Sequence, residues 1–478
     1  MKKFLLILGL AFITFQYNYA NNIEFTPSKN QKIEGTFSGD ISKKQSVHLI
    51  FANNKTSKTY EVIPFYMDEM DKIVQLENIN FKKSPGIVSY HLSKNTLTLI
   101  LSEKEKKTSQ FYHIIDYNLE NLTKTSKKIE KKDEDFTIRQ PKCTYIVNTQ
   151  KTYLNIQRID NSNTINQHQV TPTNSEKFKE IFKNNSPDVV NTNEFVKNGS
   201  INNLQSYLEN NKLRFIKLNN KTNTVNSISI NLEDYSYKFN DFENNDLIDN
   251  KDSNSFIHDQ KLFSILVSKK DALLKINDLD KGKELLKKSL LNEIKSIDKS
   301  KIENIIKKAS KGKNKPTITI NKSINNKMVV NVDYVDARVY NYHFNWWFHH
   351  WMWQQQQWHT QQMMNMMQNQ ININTQNFQR MKSFSSFGPN VFDYGDSMYT
   401  SSIKKSITFV LDSGLKINKN ASTKTKFKEI DRDKYLNPLK ENTKLRHITA
   451  SFQKDSFRYI YYSKTLKKFY IKTSKFRE

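Results

Sequence analysis

The chain has 478 residues, of which 26% are charged and 36% hydrophobic, and its formal charge is +27. Its one cysteine, Cys143, excludes an intrachain disulfide, so a chain of this length depends on packed apolar cores. The basic charge is concentrated in residues 281–315 and 421–478, and lysine far outnumbers arginine. This pattern favours an anionic glycolipid or polysaccharide over nucleic acid as a partner, although a solvated lysine-rich surface is the simpler interpretation.

Residues 1–20 predict a secretory signal peptide. Two lysines precede an apolar run from Phe4 to Phe15, and cleavage is expected after Ala20. The run is shorter than the roughly 18 apolar residues that span a bilayer, and a retained anchor is the alternative. We therefore expect an exported protein, located in the periplasm, associated with the outer membrane or extracellular.

From residue 21 to about residue 340, short stretches alternate between apolar and polar residues, separated by turns rich in Asn, Asp and Ser. This pattern predicts many β-strands. A weak repeat consists of a serine, an aromatic residue, a polar turn and a further apolar strand. Its copies begin at Ser89-Tyr90, Ser206-Tyr207, Ser255-Phe256 and Ser451-Phe452. Two successive copies are 49 residues apart, which is close to the length of a propeller blade.

The repeat resembles that of β-propeller proteins, although no named family signature occurs. The resemblance implies a mainly β chain that forms an irregular β-propeller, with residues 401–478 as its final, basic strands. About seven blades are expected, starting near Val47, Ile87, Thr144, Leu204, Ser255, Thr317 and Ile448. Lys32–Phe37 is the candidate strand that closes the ring. Tandem β-sandwich modules are the alternative.

Two segments depart from the strand pattern. Apolar residues at helical spacing, with lysines between them, predict an amphipathic helix over about residues 283–308. Residues 233–259 are acidic but lack the Gly-centred spacing of a calcium loop, so they predict a solvated turn. Cys143 lies in a strand-like context and is expected to be a buried structural thiol.

Residues 341–400 form a low-complexity insertion rich in aromatic residues, Gln and Met. No charged residue occurs from Val339 to Gln379, and all five tryptophans lie within this span. Gln and Met favour helix, so a helix is expected over 344–370. Four interpretations stay open: packing against a blade, docking to an envelope protein or membrane surface, metal binding, and a disordered prion-like tract.

The docking interpretation uses the exposed indoles of Trp346, Trp347, Trp351, Trp353 and Trp358. In the metal interpretation the bound metal is copper, because thioethers are good ligands for Cu(I) and imidazoles for copper or zinc. No other cofactor is expected. Its candidate ligands are His349, His350, Met352, His359, Met363, Met366 and Met367.

No linear catalytic motif occurs in the sequence. The remaining histidines are scattered, and each is expected to be an ordinary surface or core residue. We therefore expect an exported, non-catalytic cell-envelope binding or scaffold protein that uses residues 341–379 for docking. A periplasmic copper-binding protein is the alternative.

Overall fold

The structure is a computed structural model that describes residues 23–476. Within that span, the description leaves out 106–108, 133–134, 183–186, 197–198, 220–221, 248–251, 293–298, 310–313, 337–406 and 419–420. The predicted signal peptide, residues 1–20, and the insertion, residues 341–400, therefore lie outside the described residues.

The first three sheets are each built from consecutive strands. Sheet 1 contains β2 (Gln31–Asp40), β3 (Ser46–Asn54), β4 (Thr59–Met67), β5 (Ile73–Gln75) and β6 (Ile79–Phe81). Sheet 2 contains β7 (Gly86–Ser93), β8 (Thr96–Lys104), β9 (Gln110–Asn118) and β10 (Lys124–Glu130). Sheet 3 contains β11 (Asp135–Arg139), β12 (Thr144–Thr149), β13 (Leu154–Ile159) and β14 (Ile165–Val170).

The remaining sheets follow in chain order, with one exception at the end. Sheet 4 contains β15 (Asp188–Val190), β16 (Leu204–Glu209), β17 (Lys212–Asn219), β18 (Thr224–Asn231) and β19 (Tyr237–Glu243). Sheet 5 contains β20 (Asp252–His258), β21 (Lys261–Val267), β22 (Ala272–Asp278) and β23 (Glu284–Ser289). Sheet 6 contains β24 (Asn314–Lys322), β25 (Met328–Asp336) and β26 (Ile407–Leu411). Sheet 7 contains β27 (Leu445–Phe452), β28 (Ser456–Ser463), β29 (Lys468–Lys475) and the early strand β1 (Ile23–Phe25).

These sheets are arranged as an irregular β-propeller, which confirms the predicted fold. First strands of neighbouring sheets contact each other, as β7 contacts β11 and β20 contacts β24. The last sheet contacts the first through β27 and β2, so the described sheets form a ring. Successive packing of sheets 1 to 6, with sheet 7 against sheet 1, is the arrangement of a propeller and not of tandem sandwiches. The predicted closing strand is wrong: residues 32–37 belong to β2, and Ile23–Phe25 closes the ring by pairing with β29.

The serine–aromatic repeat marks the first strand of sheets 2, 5 and 7 and the second strand of sheet 4. Its four copies lie on β7, β16, β20 and β27, and both residues of each copy are buried. In an alternating strand, neighbouring side chains point to opposite faces, so a buried pair indicates a strand covered on both sides. The turns that follow are tight, and Asn210 and Asn211 take positive φ angles of 49° and 57°. Asparagine tolerates this conformation, as the sequence predicts.

Apolar clusters join most neighbouring sheets. Separate clusters link sheets 1 and 2 around Leu99, sheets 2 and 3 around Ile146, and sheets 3 and 4 around Phe215. A larger cluster around Phe263 spans sheets 4, 5 and 6, and Phe65 belongs to a cluster between sheets 7 and 1. Most sheets therefore bury apolar faces by packing against their neighbours, and helix residues add to several of these clusters.

The junction of sheets 7 and 1 also contains a buried polar network. The imidazole of His48 lies 2.8 Å from Ser38 Oγ and 3.0 Å from Ser46 Oγ. Ser38 Oγ in turn lies 2.9 Å from Thr449 Oγ1 on sheet 7. Burial and the nearby Arg458 charge lower the pKa of His48 to about 3. His48 is therefore a neutral core histidine that helps join the two sheets.

Arg458 lies in the same junction and is almost fully buried. Its guanidinium donates hydrogen bonds to the carbonyl oxygens of Met67 at 3.2 Å and Asp68 at 2.8 Å. It also pairs with the Asp71 carboxylate at 2.5 Å. This arginine on sheet 7 thus provides hydrogen-bond donors for the acceptors of the turn between β4 and β5 of sheet 1.

Three helices connect the sheets in the described residues: α1 (Ser175–Phe182), α2 (Lys299–Ala309) and α3 (Arg432–Glu441). The structure differs from the predicted helix over 283–308. Glu284–Ser289 is the strand β23, which pairs with β22, and the helix starts only at Lys299. The short Leu-Leu-Lys-Lys run is compatible with a helix or a strand, and its pairing with β22 makes it a strand. None of the helices in the described part of the chain is long and apolar enough to cross a bilayer.

The acidic segment is not a solvated turn, because it contributes β19 and β20. Its carboxylates form ion pairs with lysines of other elements, including Asp246 with Lys275 at 2.6 Å and Asp252 with Lys315 at 3.1 Å. Lysine side chains thus neutralise part of the negative charge of this segment. Cys143 is buried, as predicted, and burial raises the pKa of its thiol.

Candidate functional site at the propeller axis

The site residues predicted from the sequence all lie in 337–406, outside the described residues. The strands on either side of this segment are described. Strands β25 and β26 pair directly, with Val332 opposite Ile407. Thr408 Oγ1 on β26 donates a hydrogen bond of 2.7 Å to Asn331 Oδ1 on β25. The segment therefore leaves and re-enters sheet 6 between two adjacent strands.

A second feature is the connection from β15 to β16, residues 191–203, which we term the axial segment. Its Val196 N–H donates to Asn321 Oδ1 at 2.9 Å, and Asn321 Nδ2 donates to Val196 O at 2.8 Å. Ser200 O accepts a hydrogen bond from Asn254 Nδ2 at 2.5 Å. Asn321 and Asn254 lie on β24 and β20, the first strands of sheets 6 and 5. The axial segment thus crosses from sheet 4 towards the inside of the ring.

Hydrogen bonds to Asp188 on β15 connect the later part of the axial segment to the strand that precedes it. The Asp188 carboxylate accepts hydrogen bonds from Ser200 Oγ and, at 2.5 Å, from Asn202 Nδ2. Burial raises the pKa of Asp188 to about 6, and the two hydrogen bonds oppose that rise. Gly199 permits the close approach, because a Cβ at this position would lie 2.3 Å from Ile318 O.

The axial segment presents Glu194 to charged residues of three other parts of the ring. The charges of Asp40 on β2, Arg432 on α3 and Arg139 on β11 all act on its carboxyl group. Desolvation and the Asp40 charge raise the pKa of Glu194, while the two arginines oppose that rise. Asn191 Nδ2 donates a hydrogen bond of 2.8 Å to Glu194 Oε1. We refer to the surroundings of the Glu194 carboxyl group, on which these three charges act, as the axial space.

Arg139 and Tyr90 form one wall of this space. The Arg139 guanidinium lies 3.9 Å from the centre of the Tyr90 ring, and its Nε donates to Tyr90 O at 2.8 Å. Its Nη2 donates to Asp40 O. The Tyr90 ring packs against Gly39, where a Cβ would lie 2.4 Å from the ring. Burial raises the pKa of the Tyr90 phenol well above its usual value, so the phenol stays protonated.

The charged side chains of the axial space are held near one another but are not all paired directly. Among the described residues, Asp40, Arg139 and Glu194 form no ion pair within 4.0 Å. Arg139 uses Nε and Nη2 in hydrogen bonds, and its Nη1 has no partner among the described residues. Each of the three side chains is partly exposed.

Sequence reasoning missed this axial site. Its residues come from separate elements spread over nearly 400 positions, and none belongs to a local motif. The histidines predicted to be ordinary core or surface residues do not assemble there. In the part of the chain that the structure describes, no group of three or more His, Cys, Asp or Glu side chains forms a metal site. The predicted copper ligands lie outside that part, so they stay a prediction.

No protein-family model matches the chain, and no curated protein matches it either. Its structure is similar to the WD40 domain of SCAP from fission yeast, with a TM-score of 0.25 and 7% identity, covering 65% of this chain and 88% of that one. A putative dipeptidyl aminopeptidase IV from Bacteroides ovatus gives a TM-score of 0.31 and 9% identity, covering 66% and 46%. An apocarotenoid oxygenase mutant from Synechocystis gives 0.27 and 8%, covering 55% and 63%. This chain thus spans less than two thirds of the peptidase and oxygenase chains.

At these identities the likeness concerns the fold alone, and the similar structures include enzymes. The prediction that this chain is not an enzyme is therefore wrong, because the fold is compatible with catalysis. The absence of a linear catalytic motif was not a sufficient reason to exclude an enzyme. A propeller brings polar groups from separate sheets to its axis, so such groups leave no signature in the sequence.

Proposed function

We propose that this chain is an exported binding or scaffold protein of the cell envelope. In this proposal, residues 341–379 dock onto an envelope protein or the interfacial zone of a membrane. The observation that carries the proposal is the pairing of Val332 with Ile407, because the strands that precede and follow residues 337–406 are adjacent in sheet 6. A ring built in this way tolerates a long insertion without losing a strand.

The composition of the insertion supports docking as its use. Tryptophan side chains combine a large apolar surface with an N–H donor, so they are enriched where a protein meets a partner or a membrane interface. Five of them lie within 346–358, and no charged side chain interrupts the stretch. The basic residues of 421–478 would add attraction to anionic glycolipid or polysaccharide.

Export is supported by the first 20 residues, which combine two lysines with a short apolar run. A single cysteine also suits an oxidising compartment, since no wrong disulfide can form within the chain. Cell fractionation tests this part. We expect mature protein that starts near residue 21 in the envelope or medium, whereas full-length protein in the cytoplasm would refute export.

The docking proposal is tested by replacing 341–379 with a short Gly-Ser linker. We expect unchanged thermal unfolding, because both flanking strands remain paired, and loss of envelope association. A matched variant with the five tryptophans changed to Leu keeps the length of the insertion and should also lose association. Association that survives in both variants would refute docking through the insertion.

Tryptophan fluorescence gives a direct signal, because all five tryptophans lie in the insertion. We expect a blue shift when the protein binds envelope vesicles. A third variant changes the His and Met residues proposed as copper ligands to Ala. Loss of stoichiometric copper in this variant, with association retained, would separate metal binding from docking.

A further inference from the structure

The outer strand of sheet 3, β14, has an edge that pairs with no described strand. Sheet 3 ends at β14, and β14 pairs only with β13. Within the described part of the chain, its six residues make no backbone hydrogen bond outside that pairing. Its central residues, 166–169, are all exposed. An edge of this kind is a template onto which a further strand can pair.

Most of the other described outer strands are protected against such pairing. Strands β1 and β5 have only three residues each. Strand β26 is partly covered, because Asn418 N donates a hydrogen bond of 2.8 Å to Val410 O. Short strands and lysines are common means of preventing edge pairing. The outer strands of sheets 2, 4 and 5 contain lysines, which are Lys124, Lys127, Lys128, Lys238, Lys287 and Lys288. In contrast, β14 has six residues and no charged side chain.

The hairpin turn before β14 determines which of its backbone groups point outward. Asp160 N donates a hydrogen bond of 3.1 Å to Thr164 O, which makes these two residues a hydrogen-bonded pair. Such pairs alternate with non-hydrogen-bonded pairs along an antiparallel ladder, and Ile165 lies opposite Ile159 in the next pair. The backbone N–H and C=O groups of Ile165, Gln167 and Gln169 therefore point away from β13.

The side chain of Gln167 indicates what the additional strand should carry. Gln157 lies opposite Gln167 on β13, and Gln157 Nε2 donates a hydrogen bond of 3.0 Å to Gln167 Oε1. Among the described residues, no acceptor takes a hydrogen bond from Gln167 Nε2. Amide side chains at one level of neighbouring strands form ladders of such bonds. The next strand should therefore place an amide opposite Gln167.

A second copy of this chain meets that requirement. Because alternate residues of β14 point outward, two copies can pair antiparallel with Gln167 opposite its own equivalent. Ile165 of each copy then lies opposite Gln169 of the other. The whole chain carries a charge of +27, but β14 is uncharged, and the nearby Arg158 and Asp160 form an ion pair of 3.0 Å with each other. Charge repulsion at this edge is therefore small compared with that at the lysine-bearing edges.

We propose that β14 is a dimerisation edge, which pairs antiparallel with β14 of a second copy about a two-fold axis at Gln167. Sheet 3 of one copy then continues into sheet 3 of the other. A strand of six residues makes a small contact, and interfaces below roughly 1,200 Å² are typical of transient complexes. The dimer is therefore a transient one, and it is independent of the docking role of the insertion.

Sedimentation velocity on the purified full chain tests the proposal. The series runs from about 5 to about 500 μM protein, which covers dissociation constants of a transient dimer. Salt at about 0.5 M screens the repulsion between the two basic chains. We expect the sedimentation coefficient to rise from that of a monomer towards that of a dimer. A monomer at every concentration would overturn the proposal.

A lysine at the two-fold axis tests whether β14 is the contact. Gln167→Lys places two ammonium groups opposite each other and should raise the dissociation constant of the dimer by about tenfold or more. Ser126→Lys is the matched control, because it adds the same charge at an exposed position on the outer strand β10. It should dimerise as the unchanged protein does. Equal dimerisation in Gln167→Lys, or equal loss in both variants, would overturn the proposal.

A cysteine at the same position tests the register. Opposite residues of a hydrogen-bonded antiparallel pair have Cα atoms about 5.5 Å apart, which lies within the range that a disulfide spans. Oxidised Gln167→Cys should therefore form a covalent dimer, while the native Cys143 is buried. Asn163→Cys, in the exposed turn of the same hairpin, is the control and should cross-link much more slowly. Equal cross-linking of the two variants would contradict the register.

The same variants distinguish a second copy from a strand of another protein. A chain that stays monomeric, but whose Gln167→Lys variant loses envelope association, would overturn the dimer and assign the β14 edge to a different partner. Should Gln167→Lys fail to fold, the concentration series on the unchanged chain and the cross-linking of Gln167→Cys still decide the question.

Discussion

The buried imidazole of His48 should make the protein sensitive to acid, and the size of the effect follows from its pKa. In the folded protein this pKa is lowered from 6.5 to about 3. The unfolded chain therefore binds the proton more readily. The contribution of His48 to the unfolding free energy is therefore fully present above the pKa of the unfolded chain. It is lost as the pH falls towards the pKa of the folded protein. From about pH 7.5 to about pH 5, His48 alone should remove about 2 kcal/mol of unfolding free energy.

The substitution His48→Gln tests this reasoning. A glutamine stays uncharged at every pH and keeps an amide near Ser38 or Ser46, so it should cost some stability at neutral pH. Between about pH 7.5 and about pH 5, however, it should lose about 2 kcal/mol less than the unchanged protein. The measurement is urea unfolding at several pH values. His168→Gln is the matched control, because His168 is exposed. Equal pH dependence in His48→Gln and the unchanged protein would refute the assignment.

Three further predictions concern the ring. Arg458→Leu should lower the unfolding free energy by about 3 kcal/mol, since it leaves Asp71 and two carbonyl oxygens without their buried donor; unchanged urea midpoints would contradict this. Gly199→Ala should cost about 1–3 kcal/mol, because its Cβ would lie 2.3 Å from Ile318 O. Gly414→Ala, whose nearest atom is at 3.4 Å, is its control in thermal unfolding. Phe25→Ala removes ring contacts of 5.9 Å with Phe65 and 6.4 Å with Phe469, and should lower stability by about 2 kcal/mol; unaltered resistance to limited proteolysis would argue against closure by β1.

Local patterns predicted most of the strands. The segments 47–51 and 60–66 fall within β3 and β4, and the serine–aromatic pairs fall on β7, β16, β20 and β27. Alternation of apolar and polar residues is a local property, so it is readable without knowing the partner strand. The closing strand was missed for the opposite reason. Ile23–Phe25 is too short to show a pattern, and only its pairing with β29 makes it a strand.

The two candidate sites differ in how visible they are in the sequence. The insertion is visible because 41 consecutive residues, 339–379, lack a charge. The axial site is not visible, because Asp40, Arg139 and Glu194 are single charged residues that belong to no local motif. Only the ring geometry brings them together. A site that is continuous along the chain can therefore be recognised in the sequence, whereas a site assembled from distant elements cannot.

The pairing of Ile23 with Ile471 also determines the order in which the protein can fold. These two residues are 448 positions apart, whereas most strands pair with the next strand along the chain. Hairpins with short loops form first, because closing a short loop costs less chain entropy than closing a long one. Sheet 7 can acquire its fourth strand only after β29 has been synthesised. Ring closure is thus the final step of folding, and a chain halted before residue 469 leaves β1 without its partner strand and leaves β28 with an open edge.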